Sequence, residues 1–476
     1  CNEHARQFAL ARVFVKRVTL RPGWGTYCMY LRDNAFLPRW ITAGASWLLL
    51  QAPALWNGFP LLQYDTGGYL ARWYEGTLVP SRAVVYGLML NAGAPAAFWP
   101  VVAAQAALTV WIIALVLRAH GFGGRPWLLL VVVTTLTVLS TLPWLTSILL
   151  TDIFAGLGVL ALYLLLLRPG RLSRNERFAL TLLIAVCVAT HSATMAVLVT
   201  LVVTAIFLWL AKPHRVPLAR IGNGVLALAL GTVFVFAADF VVARRLAWTP
   251  GGFALSFGRM LQDGIVKKYL DEHCPDPKLT LCAYKDRLPD DADVWFWGSP
   301  LFDRLGRFDG LGAEMQTIAL NSVIEYPGLQ IETAGIATAR QMIAVHTGEG
   351  VGGGIWHTYR IIEQYTPKLA SFMHLARQQN GEMSFAAINR LQYPVALIAM
   401  ALLPVFVLLA SRRKVPDVGE LTAACGVALV ANAFICGVLS NPHDRYGARL
   451  VWIAVFAVII AILRFASHLG SRGDIA

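Results

Sequence analysis

Charge is scarce in this sequence. Only 14% of its 476 residues are Asp, Glu, Lys or Arg, against roughly 25% in a soluble globular domain. With 57% hydrophobic residues and a mean hydropathy of +0.59, the chain cannot be a disordered segment, a collagenous repeat or a nucleic-acid reader built on a charged surface. No repeat of fixed period and no low-complexity tract is present, which removes solenoids and propellers. Phosphate-loop chemistry is missing too. The run GEGVGGG (348–354) has neither a preceding strand nor a Lys-Ser/Thr pair, so it is expected to be a flexible loop. Lysine is rarer still, 8 against 32 arginines, a bias that fits a bacterium with a GC-rich genome.

Cysteines number seven. Cys28, Cys187, Cys425 and Cys436 fall in or beside apolar or basic flanking segments, where buried thiols are expected. Cys274 and Cys282 lie in the longest polar stretch, in CPDPKLTLC. No second pair stands nearby to make a zinc site. A disulfide is therefore expected, stabilising that stretch by about 2.5 kcal/mol in an oxidising compartment.

Long apolar runs are what the sequence does contain. Ten of them, at 40–56, 97–118, 126–142, 148–167, 178–190, 194–210, 221–243, 392–410, 419–439 and 448–465, are read as transmembrane helices. The stretch 178–210 is too long for one span, and His191-Ser192 interrupts it, so it is divided in two. The expected fold is an all-α polytopic membrane protein of about ten transmembrane helices. It comprises a cytoplasmic basic leader (1–39), a seven-helix block (40–243) with a first outer loop at 57–96, a mostly helical outer domain (244–391) between helices seven and eight, and a three-helix block with a cytoplasmic tail (392–476).

The distribution of charge sets the orientation. With both termini inside, and with charges at a segment's end counted with the adjoining flank, the inner segments carry 21 Lys and Arg and six acids. The outer segments carry 19 of each. Fifteen of those 19 basic residues lie in the one long outer loop, which the positive-inside rule does not count. The net charge of +13 is thereby a topology signal and calls for no nucleic acid. The chain opens on Cys1 rather than Met, so its start is expected upstream. No cleavable signal peptide is legible, and the first segment reads as an uncleaved anchor. The expected location is a bacterial inner membrane.

Residues able to carry chemistry collect on the outer side. The first outer loop is rich in Tyr and Trp and reads as short interfacial helices, with Asp65, Arg72 and Arg82 facing water or a cavity. Asp65, in QYDTGGY, suits a general base, although an N-cap is an equally simple role. Arg445 and Arg449, in NPHDRYGAR beside His443, are four apart at a helix start and suit a phosphate. The plainer alternatives are an Arg445–Asp444 pair and an Arg449 that snorkels to headgroups. Asp152 and His191 are ionisable groups in or beside spans, hence site candidates, while capping remains open for Asp152. Asp239 most simply pairs with Arg244 or Arg245.

This layout resembles the GT-C superfamily of polytopic glycosyltransferases. Asp65 matches by position the acidic residue that these enzymes carry soon after helix one. SRAVVYG (81–87) is similar to their Arg/Tyr segment before helix two, and Arg445-Tyr446 resembles the Arg-Tyr before a late helix. The resemblance implies a lipid-linked sugar donor, a polyprenyl phosphate or pyrophosphate, at the outer membrane face. It further implies Asp65 as catalytic base and Arg445 as phosphate ligand, helped by Arg82, His443 or Arg449. Arg72, Asp152 and His191 would be supporting polar groups. Membrane lipids would be partners, along with an acceptor of unspecified kind, either glycan, lipid or protein. A divalent cation, Mg or Mn, is left open. The rival readings are a transporter or flippase of a lipid-linked anion and a non-catalytic scaffold whose outer domain binds a partner.

Overall fold

The computed structural model describes residues 38–79, 82–213, 216–248 and 252–473. Most of the basic leader, with Cys28, and Ser81 of the SRAVVYG segment lie outside them. Ala35–Ala476 is one compact unit. Among the described residues the fold is all helical, with isolated bridges only at Leu61–Ile148 and Val79–Arg82.

The first expected span is two helices, α1 (Arg39–Leu50) and α2 (Ala52–Asn57), broken at Gln51 just before Pro53 and closed by Gly58 in the left-handed conformation. The first loop then folds into α3 (Thr66–Glu75) and α4 (Val84–Gly93). These are the short helices expected there, but α3 is buried, with Tyr69, Leu70 and Ala71 almost fully enclosed. Gly87 lets α4 lie against α3, because a Cβ on it would sit 2.4 Å from the carbonyl of Tyr69.

The apolar bundle follows as α5 (Trp99–Ala119), α6 (Pro126–Leu139), the short α7 (Leu142–Ser147) and α8 (Ile153–Leu167). It continues with α9 (Arg174–Thr190), α10 (Ser192–Ala211) and α11 (Leu218–Ala243). Ser173 and Glu176 form a capping box at the start of α9, which satisfies two orphan donors. The break between α9 and α10 falls at His191, in an extended conformation. Nearly every residue of α8 is buried; a helix apolar on all sides belongs at the centre of a bundle.

Polar sequence between 244 and 385 yields α12 (Gly252–Gln262), α13 (Ile265–His273), α14 (Pro300–Arg304), α15 (Arg307–Glu325), α16 (Pro327–Ile343), α17 (Trp356–Tyr365) and α18 (Ala370–His374). The chain closes with α19 (Ala386–Arg413), α20 (Pro416–Leu439) and α21 (Asp444–Gly473). Six helices, α5, α10, α11, α19, α20 and the Asp444–His468 part of α21, are long and apolar enough to cross a membrane by length and composition. This fits a multi-pass membrane protein. The remaining expected spans are shorter: α1 has 12 residues, α6 14, α8 15 and α9 17.

The segment 244–391 does not pack as one body. Its first half has its own core, including Phe257, Leu270, Trp295, Phe302 and Ile318, and the Cys274–Cys282 disulfide is formed beside it. Its second half joins the main core, where Val351, Ile355, Tyr359 and Met373 cluster with Phe59, Leu61, Tyr69 and Leu70. The division arises because α17 covers the buried face of α3: Thr358 Oγ donates to the carbonyls of Gln63 and Tyr64 and accepts from the Gly67 N–H.

Candidate functional site

Three stretches remote in sequence meet at one point. Leu61 and Leu149 tie the first loop to the segment before α8, through Leu61 N–H to the Ser147 carbonyl at 3.0 Å and Leu149 N–H to the Leu61 carbonyl at 2.9 Å. Thr66 Oγ donates to the carbonyl of Leu149 at 2.9 Å. This pairing brings Asp65, at the head of α3, beside Asp152, at the head of α8. Neither carboxylate caps its helix. Arg445, in the first turn of α21, reaches between them, donating from Nη1 to Asp65 at 2.5 Å and from Nε to Asp152 at 2.8 Å. Arg82, from the turn before α4, makes a second ion pair with Asp65 and lies 5.7 Å from the centre of the Tyr69 ring.

Burial pushes the Asp65 carboxyl up, but Arg82 and Arg445 more than offset this and hold it at about 2. It is ionised at any ordinary pH, and its lone pairs are engaged by two guanidinium groups.

A cavity of about 820 Å³ opens at this cluster, lined by Asp65, Arg82, His191, Arg445 and Tyr446. Its other walls are mostly apolar, with Val188, Ala189, Ala196, Val235, Ile435 and Leu439 among them, but they also include Ser192, Asp239, Ser256, Gln316 and Ser440. The volume lies in the range of small-molecule sites. A charged end with apolar walls suits an amphiphile with an anionic head.

The remaining expected site residues are placed differently. Arg449 does not line the cavity and does not reach a headgroup region. It is fully buried, donating to Asn432 Oδ1 at 3.0 and 2.6 Å and to His191 Nδ1 at 3.2 Å. A guanidinium only donates, so His191 Nδ1 must accept and Nε2 carries the proton. His191 thereby presents to the cavity with its tautomer fixed by Arg449.

His443 also lies off the cavity, between Glu349 at 2.7 Å and Asp293 at 3.3 Å. Burial pushes its pKa down, but hydrogen bonds to the two carboxylates carry it up to about 10. Asp444 pairs with His346 at 2.9 Å rather than with Arg445. Arg72 turns back onto its own loop, to Glu75 and the carbonyls of Gly68 and Thr77. Asp239 forms no ion pair with Arg244 or Arg245; it lines the cavity, and Arg244 lies over the Phe240 ring.

Glu349 was not singled out in the sequence. It accepts the Arg445 N–H at 2.6 Å and binds His443, while its neighbour Gly350 accepts the Tyr64 N–H at 3.2 Å. The glycine-rich run expected to be flexible is thus the strap that fixes both Asp65 and Arg445. A lone acid among glycines was the only local signal for this. Among the described residues no group of three His, Cys, Asp or Glu is arranged to hold a metal ion, and both carboxylates of the cluster are engaged by arginine.

No family model, curated protein or solved structure matches the chain.

Proposed function

We propose that the protein is a membrane glycosyltransferase that takes a sugar from a polyprenyl-phosphate donor, as its resemblance to the GT-C superfamily implies. The observation that carries this reading is the meeting of Asp65 and Arg445 at one cavity whose other walls are mostly apolar. In this reading α1–α2, α5, α6, α8, α9, α10, α11, α19, α20 and α21 provide ten crossings of a bacterial inner membrane, both ends cytoplasmic, and the cluster faces outward.

The donor phosphate competes with Asp65 for Arg445 and Arg82, whose forked donors suit phosphate oxygens. As the arginines turn to phosphate, the Asp65 carboxylate loses its two neutralising partners and becomes more basic. It then takes the proton of an acceptor hydroxyl. The acceptor oxygen bonds to the anomeric carbon as the bond from that carbon to the phosphate oxygen breaks. Polyprenyl phosphate leaves with the bonding pair, stabilised by the arginines, and the anomeric configuration inverts.

The test uses the full chain in lipid nanodiscs with radiolabelled polyprenyl-phosphate hexoses and pentoses, and with cell-envelope fractions as acceptor. Asp65→Asn should cut transfer by about 10²–10⁴-fold while polyprenyl phosphate still binds. Unchanged transfer would remove Asp65 from the chemistry. Absence of both transfer and lipid-phosphate binding in the unaltered protein would overturn the reading.

A further inference from the structure

One carboxylate of the cavity has no protein partner among the described residues. Asp239, near the end of α11, is 4% exposed and lines the cavity. Among the described residues it makes no hydrogen bond or ion pair, and it is not one of those with a contact left unstated. Asp65 and Asp152 differ from it, for each is engaged by arginine. Its carboxylate opens onto the cavity, so what hydrogen-bonds to it comes from whatever fills that cavity.

The parts of a lipid-linked sugar narrow the choice. Its prenyl chain has no donors, and its ionised phosphate has only acceptors and repels a carboxylate. The sugar alone carries hydrogen-bond donors, and two adjacent hydroxyls match the two oxygens of one carboxylate. Trp248 lines the same cavity and packs edge-on against Phe236, with ring centres 6.1 Å apart. Phe236 is one helical turn from Asp239. An indole and a carboxylate lining one cavity suit a pyranose or furanose ring, which has an apolar C–H face and a polar hydroxyl rim.

We propose that Asp239, with Trp248 lining the same cavity, is the sugar-recognition site of the cavity and binds hydroxyls of the donor's sugar. The proposal rests on the glycosyltransferase reading. It divides the cavity by chemistry, with Arg82 and Arg445 for the phosphate and Asp239 for the sugar.

The test compares two probes on the full chain in nanodiscs: polyprenyl phosphate alone, and polyprenyl phosphate carrying mannose, glucose or arabinose. Asp239→Asn should weaken binding of the preferred sugar-bearing lipid by about tenfold or more, as loss of hydrogen bonds to a charged group implies. Binding of bare polyprenyl phosphate should stay within about twofold of wild type. Equal weakening of both probes, or of neither, overturns the assignment. So does a change confined to the apparent KM for the acceptor, which would place Asp239 with the other substrate. If the unaltered protein binds neither probe, the glycosyltransferase reading falls first; if it binds both and Asp239→Asn does not discriminate, only the present assignment falls. Should the variant fail to fold, labelling of wild-type Asp239 by a hydrophobic carbodiimide decides the matter. Sugar-bearing lipid should protect Asp239, and bare polyprenyl phosphate should not; equal protection by both overturns the proposal.

Discussion

Glu349 accepts the backbone N–H of Arg445 at 2.6 Å. The next residue, Gly350, accepts the N–H of Tyr64, which precedes Asp65. A single turn of chain therefore sets the spacing between the proposed base and the proposed phosphate ligand, although Asp65 and Arg445 come from opposite ends of the sequence. Preorganisation of this kind matters because small displacements of reacting groups cost large factors in rate.

That strap has little room for change. Gly350 has φ +74°, and a Cβ on it would lie 2.3 Å from Gln63 Nε2 and 2.8 Å from the Tyr64 ring. Gly350→Ala should cost about 1–3 kcal/mol in backbone strain alone, read as a lower melting temperature in nanodiscs, together with weaker polyprenyl-phosphate binding. Glu349→Gln should leave melting closer to wild type yet lower transfer.

Arg445 neutralises two buried carboxylates at once. Arg445→Ala should destabilise the protein by about 3–5 kcal/mol, because Asp152 then loses its ion pair and Asp65 keeps only Arg82. Asp152→Asn in the same chain should recover part of this loss, a coupling that a double-mutant cycle measures. Arg445→Lys should fall between, since a compact ammonium lacks the planar fork that spans both carboxylates. An Arg445→Ala variant as stable as wild type would show that the cluster contributes little to folding.

Acid and alkali should act on different groups. His443 has a folded pKa of about 10, above its ordinary 6.5; its contribution is complete below 6.5 and is lost as pH rises through about 10. Asp65 is held at about 2, below its ordinary 3.8; its contribution is complete above 3.8 and is lost as pH falls towards 2. Melting temperature followed into the alkaline range should therefore decline in wild type, and His443→Gln should flatten that decline.

The Cys274–Cys282 bond closes a short loop beside the core formed by α12, α13 and α15. Reduction, or Cys282→Ser, should cost this part of the fold about 2.5 kcal/mol. Faster limited proteolysis between 250 and 320 would register it, with the transmembrane helices little affected. Two free thiols in mass spectra of unreduced protein would refute the pairing.

Much of the fold was legible in local pattern. Apart from the first, each apolar run is filled mainly by one helix, the break at His191 falls where polarity interrupts the run, and the two cysteines pair across seven residues. Three features were not. The first span divides at Gln51 because Pro53 cannot continue the hydrogen-bond ladder. The polar segment after 244 divides because α17 carries apolar residues that fit α3, and such a fit has no trace in either helix alone. Arg449 looked like the twin of Arg445 by spacing, but it is directed to Asn432 and His191.

The sequence by itself determined where most helices form, because backbone satisfaction and apolar periodicity are properties of contiguous residues; of the ten spans it suggested, six are helices long and apolar enough to cross a bilayer by length and composition. Only the tertiary structure decided which charges meet. Asp65, Asp152, Arg82 and Arg445 converge, His443 is drawn to Glu349 and Asp293, and Asp239 faces the cavity without a partner among the described residues. An ion pair depends on a few ångströms between side chains hundreds of residues apart, and that distance is set by helix packing, not by any spacing along the chain.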